Sequence, residues 1–540
     1  MTHAASSTHL LLLVAGSAAV AGAAQRLRTS APLLLVAVGL AVSYLPGVPS
    51  YTLDPHLVLP LVLPPLLYTA ALDSSFLGLR AYVRPVALLA VGYVLFCTLL
   101  VGFAAYALVP GLPLAAAFVL GAVVAPPDAV AATAIARRVG LPRALVTILQ
   151  GESLVNDATA ITAYRVAVAA AVGEGFSWGA AVGHFLLAAL GGTAVGLALM
   201  VPLQWVRVRL SSPLLLNTFS LLVPFAAYAA AEAFEASGVI AVVVVGLYLG
   251  HQANTVGFAL RLQEEAVWRM VSFVLESTVF ALIGLQLRLI LADLGGYDAG
   301  QLLLWAAAIL AVVIVGRFVW SYPATYLPQL LTRAHAHRRS RPPAPAPPWN
   351  ATFVVAWAGM RGVVSLAVAF SVPVTVEGGA PFPDRDLILF LTFAVVIGTL
   401  LLQGLSLPTL VRVLRLPQPD PQLLILTEAQ AQSDASRAAL ERLDELLQDD
   451  RNRLPDALEA RLRRVLDRRQ NAVWERLGAV HQETGESADA TYRRISREVL
   501  EAERQAFVRQ RNQGRIDDEL LRRLVRRLDF EEAMADRDEE

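Results

Sequence analysis

The sequence predicts an all-α membrane protein of about thirteen transmembrane helices followed by a helical tail in water, and three observations carry that prediction. The first is composition. Of 540 residues 56% are hydrophobic and 16% charged, with mean hydropathy +0.56, which is too apolar for a surface that meets water on all sides. The second is a series of apolar runs, each near the ~20 residues needed to cross hydrocarbon. The third is an abrupt change after Pro417, Pro419 and Pro421, where Arg, Glu, Asp, Leu and Gln take over. Net charge is zero, yet the segment from 420 to 540 holds half of the arginines and most of the acids.

The runs lie near 9–25, 30–46, 56–78, 84–109, 113–136, 144–172, 178–205, 213–234, 237–253, 266–292, 300–328, 350–373 and 386–414. In the first, Arg26 and Arg28 follow the apolar stretch, whereas a signal peptide carries its basic residues before it, so the run is read as a span. Charge in the loops tests the count, because one span too many or too few would scramble the alternation. Basic loops hold Arg26 and Arg28; Arg80 and Arg84; Arg137, Arg138 and Arg143; Arg207 and Arg209; Arg261; then Arg333, Arg338, Arg339 and Arg341. The loops between them are short, acidic or rich in Gly and Pro, including Gly173-Glu174 and the stretch from Glu377 to Asp386. The positive-inside rule then sets the N-terminus outside and the C-terminus in the cytosol. The predicted domains are a membrane domain, 1–416, and a cytosolic helical domain, 417–540. Leu440, Leu443, Leu446 and Leu447 give the tail helical spacing, suited to docking, oligomerisation or regulation. Arg341 to Pro348 is a Pro-rich linker, and His335 and His337 before it are either solvated or pH-responsive.

Two spans are broken. Ala125-Pro126-Pro127-Asp128 interrupts the fifth, and Gly359 and Gly362 flank Arg361 in the twelfth. Backbone groups freed inside a membrane are tolerated only against protein or a cavity. Two discontinuous helices, one in each half of the chain, point to an inverted-repeat transporter with its site near the midplane.

Ionisable residues within spans are costly and therefore functional candidates. The deepest are Asp128, Glu152, Asp157, Arg165, Glu276, Arg317 and Arg361; Asp73, Glu232 and Arg288 sit near span ends. Ser153 and Asp157 are four apart and share a helix face, as do Glu152 and Asn156. Carboxylate, hydroxyl, amide and carbonyl oxygens suit a small alkali cation, so the ion set is Asp157, Ser153 and Asp128, with the carbonyl of Pro127 beside them. A buried carboxylate able to hold either a proton or a cation is the simplest antiport device. Asp128 either faces the ion or caps a second half-helix. Glu152 is expected to pair with Arg361, with Arg317 as competitor. Glu276 is a pair member or a second acid, while Thr69 and Asp73 are secondary candidates near the prolines of span three. The single cysteine, Cys97, excludes a disulfide framework or a Cys-based metal site. No phosphate loop, nucleotide fingerprint or nucleophile elbow occurs, so neither an enzyme, a cofactor nor a nucleic-acid partner is expected.

The stretches LPPLLY (63–68), GAVVAPPDAVAATAI (121–135), LQGESLVNDATAI (149–161) and WAGMRGVVSLAVAFSVP (357–373) resemble the monovalent cation/proton antiporter family that includes bacterial and animal sodium/proton exchangers. The resemblance spans about residues 10 to 415 and is highly specific in GESLVND. It implies Na⁺/H⁺ exchange, with K⁺ or Li⁺ as alternatives, by alternating access in a plasma-membrane homodimer set among lipid, serving pH and cation homeostasis. By motif it makes Asp157 the exchanging carboxylate and Asn156 its partner in the pair associated with electroneutral members. Asp128 becomes the acid of the unwound helix, Ser153 a cation ligand, and Glu152 with Arg361 a structural ion pair. Two departures bear on ion choice: many members have Thr where this chain has Pro127, and some have an acid where it has Thr69. A cation channel, or a sensor that gates the tail, is the rival of another class.

Overall fold

Segments that must satisfy every backbone N–H and C=O in hydrocarbon do so as helices or closed barrels, and the described residues take the helix. The structure, a computed structural model, describes residues 2–27, 30–46, 48, 55–128, 141–172, 178–210, 212–294, 296–334, 347–376, 379–416, 421–449, 454–479, 488–513, 515 and 517–536. Those residues contain helices and turns, with a single isolated bridge between Thr375 and Pro381. The second half of predicted span five, the loop residues Arg137, Arg138, Gly173 and Glu174, the pair His335 and His337, and the linker from Arg341 lie outside the described residues.

The chain divides into two compact units, Met1–Pro417 and Gln418–Glu540. In the first, α1 (Thr2–Arg26), α2 (Ala31–Ser43) and α3 (Pro55–Leu72) are followed by the short α4 (Phe76–Ala81). Then α5 (Val83–Ala87) runs through a π-helical turn, Leu88–Tyr93, into α6 (Val94–Leu108). Next come α7 (Leu114–Val124), α8 (Arg143–Val172), α9 (Trp178–Arg209), α10 (Pro213–Glu232) and α11 (Gly238–His251). The two longest, α12 (Phe258–Asp293) and α13 (Ala299–Ala334), precede a broken pair, α14 (Trp349–Trp357) and α15 (Val363–Phe370). The unit closes with α16 (Arg385–Thr399), a second π-helical turn and α17 (Leu405–Leu414).

Packing sorts these helices into two groups. One gathers α5 to α8 with α13 to α17; the other gathers α1 to α3 with α9 to α12. Close approach in the second group depends on small residues: a Cβ added at Gly39 would sit 2.6 Å from the Ala281 carbonyl, so α2 and α12 cross almost backbone to backbone.

Among the described residues, six helices are by themselves long and apolar enough to cross a membrane, and five shorter apolar helices lie in other predicted runs. The remaining runs fall short for physical reasons. The middle of α8 carries the polar residues of GESLVND, and α14 and α15 are separated by the break at 358–362.

In the second unit α18 (Pro421–Leu447) pairs with α19 (Asp456–Ala479), and α20 (Ala488–Asn512) with α21 (Asp518–Asp536). Arg463 reaches Asp444 at 2.6 Å, and Arg504 reaches Asp529 and Glu532 at 3.0 and 2.6 Å. Such exposed pairs set register more than stability.

Candidate functional site

Helix α7 stops at Val124 because Pro126 and Pro127 have no N–H to donate to carbonyls one turn earlier. The chain leaves the helix through Asp128, and its carbonyls find other partners. Asn156 Nδ2 donates to the Pro127 carbonyl at 2.6 Å, and Arg361 Nη1 donates to the Ala125 carbonyl.

The second break faces the first. Between α14 and α15 the stretch 358–362 is non-helical, and the Met360 carbonyl accepts from the Asp128 N–H at 2.7 Å. Gly362 permits this crossing, since a Cβ there would collide with the Asp128 carboxylate. Arg361 is fully buried at the crossing. Its Nη2 donates to the Tyr93 hydroxyl at 2.6 Å, and its N–H donates to the Thr399 hydroxyl at 3.1 Å. Tyr93 ends one π-helical turn and Thr399 precedes the other, so both irregular turns serve the same arginine.

Helix α8 brings the acid. Asp157 is 4% exposed and Asn156 is fully buried. Asp157 and Asp128 lie within electrostatic range of one another, and Glu276 on α12 is within range of Asp128. The Asn156 amide is spent on Pro127, while its Oδ1 is buried with no hydrogen-bond partner. A buried orphan oxygen beside two carboxylates and freed carbonyls fits an alkali cation, whose ligands are oxygens. Ser153 is half-buried one turn before Asp157 on the same helix.

The expected Glu152–Arg361 pair is corrected. Arg317 of α13 is the partner: its Nη1 and Nη2 donate to the two Glu152 oxygens at 2.6 and 2.7 Å, with both side chains nearly inaccessible. The same guanidinium also donates to the Val355 carbonyl at 3.3 and 3.2 Å. Gly359 lets it pass, because any Cβ there would strike the Arg317 side chain. Arg361 is committed to the carbonyl of the other break and does not reach Glu152.

Other candidates fall away from the crossing. Thr69 donates to the Leu66 carbonyl of its own turn and accepts from Ser272 at 3.2 Å. Asp73 is exposed just past the end of α3. Glu276 is half-buried and, among the described residues, has no basic partner, so the pair-member assignment fails for it. Arg165 is not deep: it is half-exposed and paired with Glu232. Arg288, near the end of α12, donates to the Ser43 carbonyl at 2.7 Å.

One polar cluster escaped the sequence reading. Arg207 of α9 and Glu264 of α12 form a buried pair at 2.5 Å. The Ser220 hydroxyl donates to Glu264 at 2.6 Å, Trp268 donates to Ser220 at 2.9 Å, and Arg207 donates to the Leu249 carbonyl at 2.8 Å. Four helices of one group are thereby joined. The available signal was Glu264 itself, an acid beside the basic loop residue Arg261.

The family model described as "Sodium/hydrogen exchanger, transmembrane" matches residues 12–413, which takes in both breaks and the whole of α8. The chain belongs to the sodium/hydrogen exchanger family. It is 35% identical to an uncharacterised Na⁺/H⁺ exchanger of Mycobacterium bovis, over 94% of this chain and 92% of that protein. It is 33% identical to the Na⁺/H⁺ antiporter ApNhaP of Aphanothece halophytica, over 76% of this chain and 74% of that one. A sodium, potassium, lithium and rubidium/H⁺ antiporter of Bacillus pumilus is 30% identical over 70% of this chain and 57% of that protein. The fold is similar to the sodium proton antiporter MjNhaP1 of Methanocaldococcus jannaschii, with TM-score 0.59 at 19% identity, covering 77% of this chain and 99% of that one. This is a family of transporters.

Proposed function

We propose that this exchanger swaps a monovalent cation, Na⁺ first, for H⁺ across the plasma membrane by alternating access, with Asp157 holding proton and cation by turns. The observation that carries the reading is the meeting of Asp157, Asn156 and Asp128 where two helix breaks cross. Two carboxylates in range of each other repel unless a proton or a cation lies between them. Carbonyl, amide and hydroxyl oxygens nearby supply hard ligands for the ion, including the orphan Oδ1 of Asn156 and the Ser153 hydroxyl. Arg361, tied to Ala125 and Tyr93, keeps the breaks apart from helix and ready for the ion. Glu152 and Arg317 neutralise each other and leave Asp157 to transport. Exchange is one for one, in keeping with Asn156 beside the acid.

The remaining organisation follows the same proposal. Thirteen crossings with inverted repeats form the membrane domain, 1–416, with its N-terminus outside. The tail, 417–540, lies in the cytosol, two copies form a homodimer among lipid, and the physiological task is pH and cation homeostasis. K⁺ is the second reading for the ion, favoured by the range of ions in the Bacillus pumilus antiporter's name and by Pro127 in place of a threonine hydroxyl.

The test is a pH-gradient assay in proteoliposomes with Na⁺, K⁺ and Li⁺ in parallel, comparing the unmodified protein with Asp157→Asn. Cation-driven proton movement in the first and none in the second is the expected result. Ion flux without proton movement would identify a channel instead, and persistent exchange in Asp157→Asn would sink the mechanism.

A further inference from the structure

Helix α8 runs on past Asp157 to Arg165, about 12 Å farther along the axis at ~1.5 Å per residue. There Arg165 Nη2 donates to both carboxylate oxygens of Glu232, at 2.9 and 3.0 Å, and joins the site helix to the end of α10. Beside the pair lies a cavity of about 230 Å³ into whose otherwise small and aliphatic wall Thr162, Arg165, His184, Tyr228, Glu232 and Glu235 are set.

Two features mark this space as an aqueous passage rather than a packing defect. Arg165, His184, Glu232 and Glu235 are ionisable, and hydrocarbon does not tolerate four such side chains around one space. The cavity also runs inward, from a pair 47% and 32% exposed down to Ile161 and Thr162, 7% and 8% exposed, and Ile161 stands one turn beyond Asp157 on the same helix face.

We propose that the Arg165–Glu232 pair gates the access route to Asp157 at the C-terminal end of α8, with this cavity as the vestibule for a hydrated monovalent cation. The proposal rests on the exchange reading above. Arg165 stands on the group that carries the crossing and Glu232 on the other group, so the two groups cannot part at this end while the pair is closed. A half-exposed pair adds little to stability, which suits a contact made and broken in every cycle. Glu235 and His184, in the same vestibule, are placed to take up the guanidinium or the cation as the pair opens.

The test reads access rather than transport. Cys97 is buried and is the chain's only cysteine, so it gives a low background for a membrane-impermeant maleimide. A thiol introduced by Thr162→Cys is labelled in sealed, oriented proteoliposomes without any cation gradient, with Ala169→Cys on the same cavity wall as a second position should the first fail to fold. Adding Arg165→Gln or Glu232→Gln is expected to raise the labelling rate at least fivefold from the side on which α8 ends. The double charge reversal Arg165→Glu with Glu232→Arg is expected to return it to within twofold. Unchanged labelling in both single variants, or no rescue by the reversal, overturns the gate. Failure of the exchange reading shows separately, as absence of cation-coupled proton movement in the unmodified protein.

Discussion

Removal of either partner of the Glu152–Arg317 pair tests the wiring of the site. Both side chains are 2% exposed or less, and two charge-assisted hydrogen bonds of 2.6 and 2.7 Å join them. Arg317→Gln leaves a carboxylate buried without its cation, which costs about 3–5 kcal/mol when a buried pair is broken. Glu152→Gln leaves the guanidinium without its counter-charge, held by the Val355 carbonyl and the Tyr93 ring, at a similar cost. The double variant removes both charges, so it should lose less than the sum, giving a coupling of about 2–3 kcal/mol. Pairing Glu152→Gln with Arg361→Gln should give a coupling below about 0.5 kcal/mol, because those side chains share no contact. Unfolding by SDS titration in mixed micelles measures both cycles. A larger coupling for Glu152 with Arg361 than with Arg317 would refute the assignment.

Four further outcomes follow from the crossing. Gly362→Ala drives a Cβ into the Asp128 carboxylate and should cut exchange more than tenfold in the proteoliposome assay, whereas Gly22→Ala, with nothing within 4 Å of the added atom, should be silent. Asn156→Ala removes the bond to the Pro127 carbonyl and leaves that oxygen buried and unpaired, a cost of about 1–3 kcal/mol seen as a raised half-maximal cation concentration. Tyr93→Phe takes one partner from Arg361 Nη2 and should cost about 1.5–3 kcal/mol, the range for a hydrogen bond to a charged group, with a matching fall in melting temperature. Glu276→Gln withdraws an acid in range of Asp128 and should weaken apparent cation affinity severalfold while leaving maximal exchange intact.

The punctuation of the site was legible in the sequence because Pro and Gly act locally. Pro126 and Pro127 abolish N–H groups wherever the chain goes, and the end of α7 at Val124 is their consequence. The gap between α14 and α15 is likewise written in Gly359 and Gly362. GESLVND was legible as a buried polar island on an apolar helix. The partner of Glu152 was not, because Arg317 and Arg361 are both lone cations in apolar runs and only the packing of α13 against α14 separates them. Tyr93 and Thr399 are unremarkable residues whose importance comes from π-helical turns that have no sequence signature here. Arg207 and Glu264 were hidden by position, since charges near span ends look interfacial until neighbouring helices cover them. The six spanning helices and five shorter apolar helices among the described residues fell on predicted runs for the opposite reason: hydropathy is a property of the segment alone.

Competition between proton and cation for Asp157 is the centre of the account, and equilibrium binding of ²²Na⁺ to the purified protein across a pH series tests it most directly. If one carboxylate holds either ion, protonation removes the cation's site. The half-maximal sodium concentration then rises as pH falls, by about tenfold per unit once the acid is mostly protonated, with unchanged saturation. Asp157→Asn should bind no sodium at any pH. A half-maximal concentration that stays constant while only the saturating amount changes, or sodium binding retained by Asp157→Asn, would contradict it.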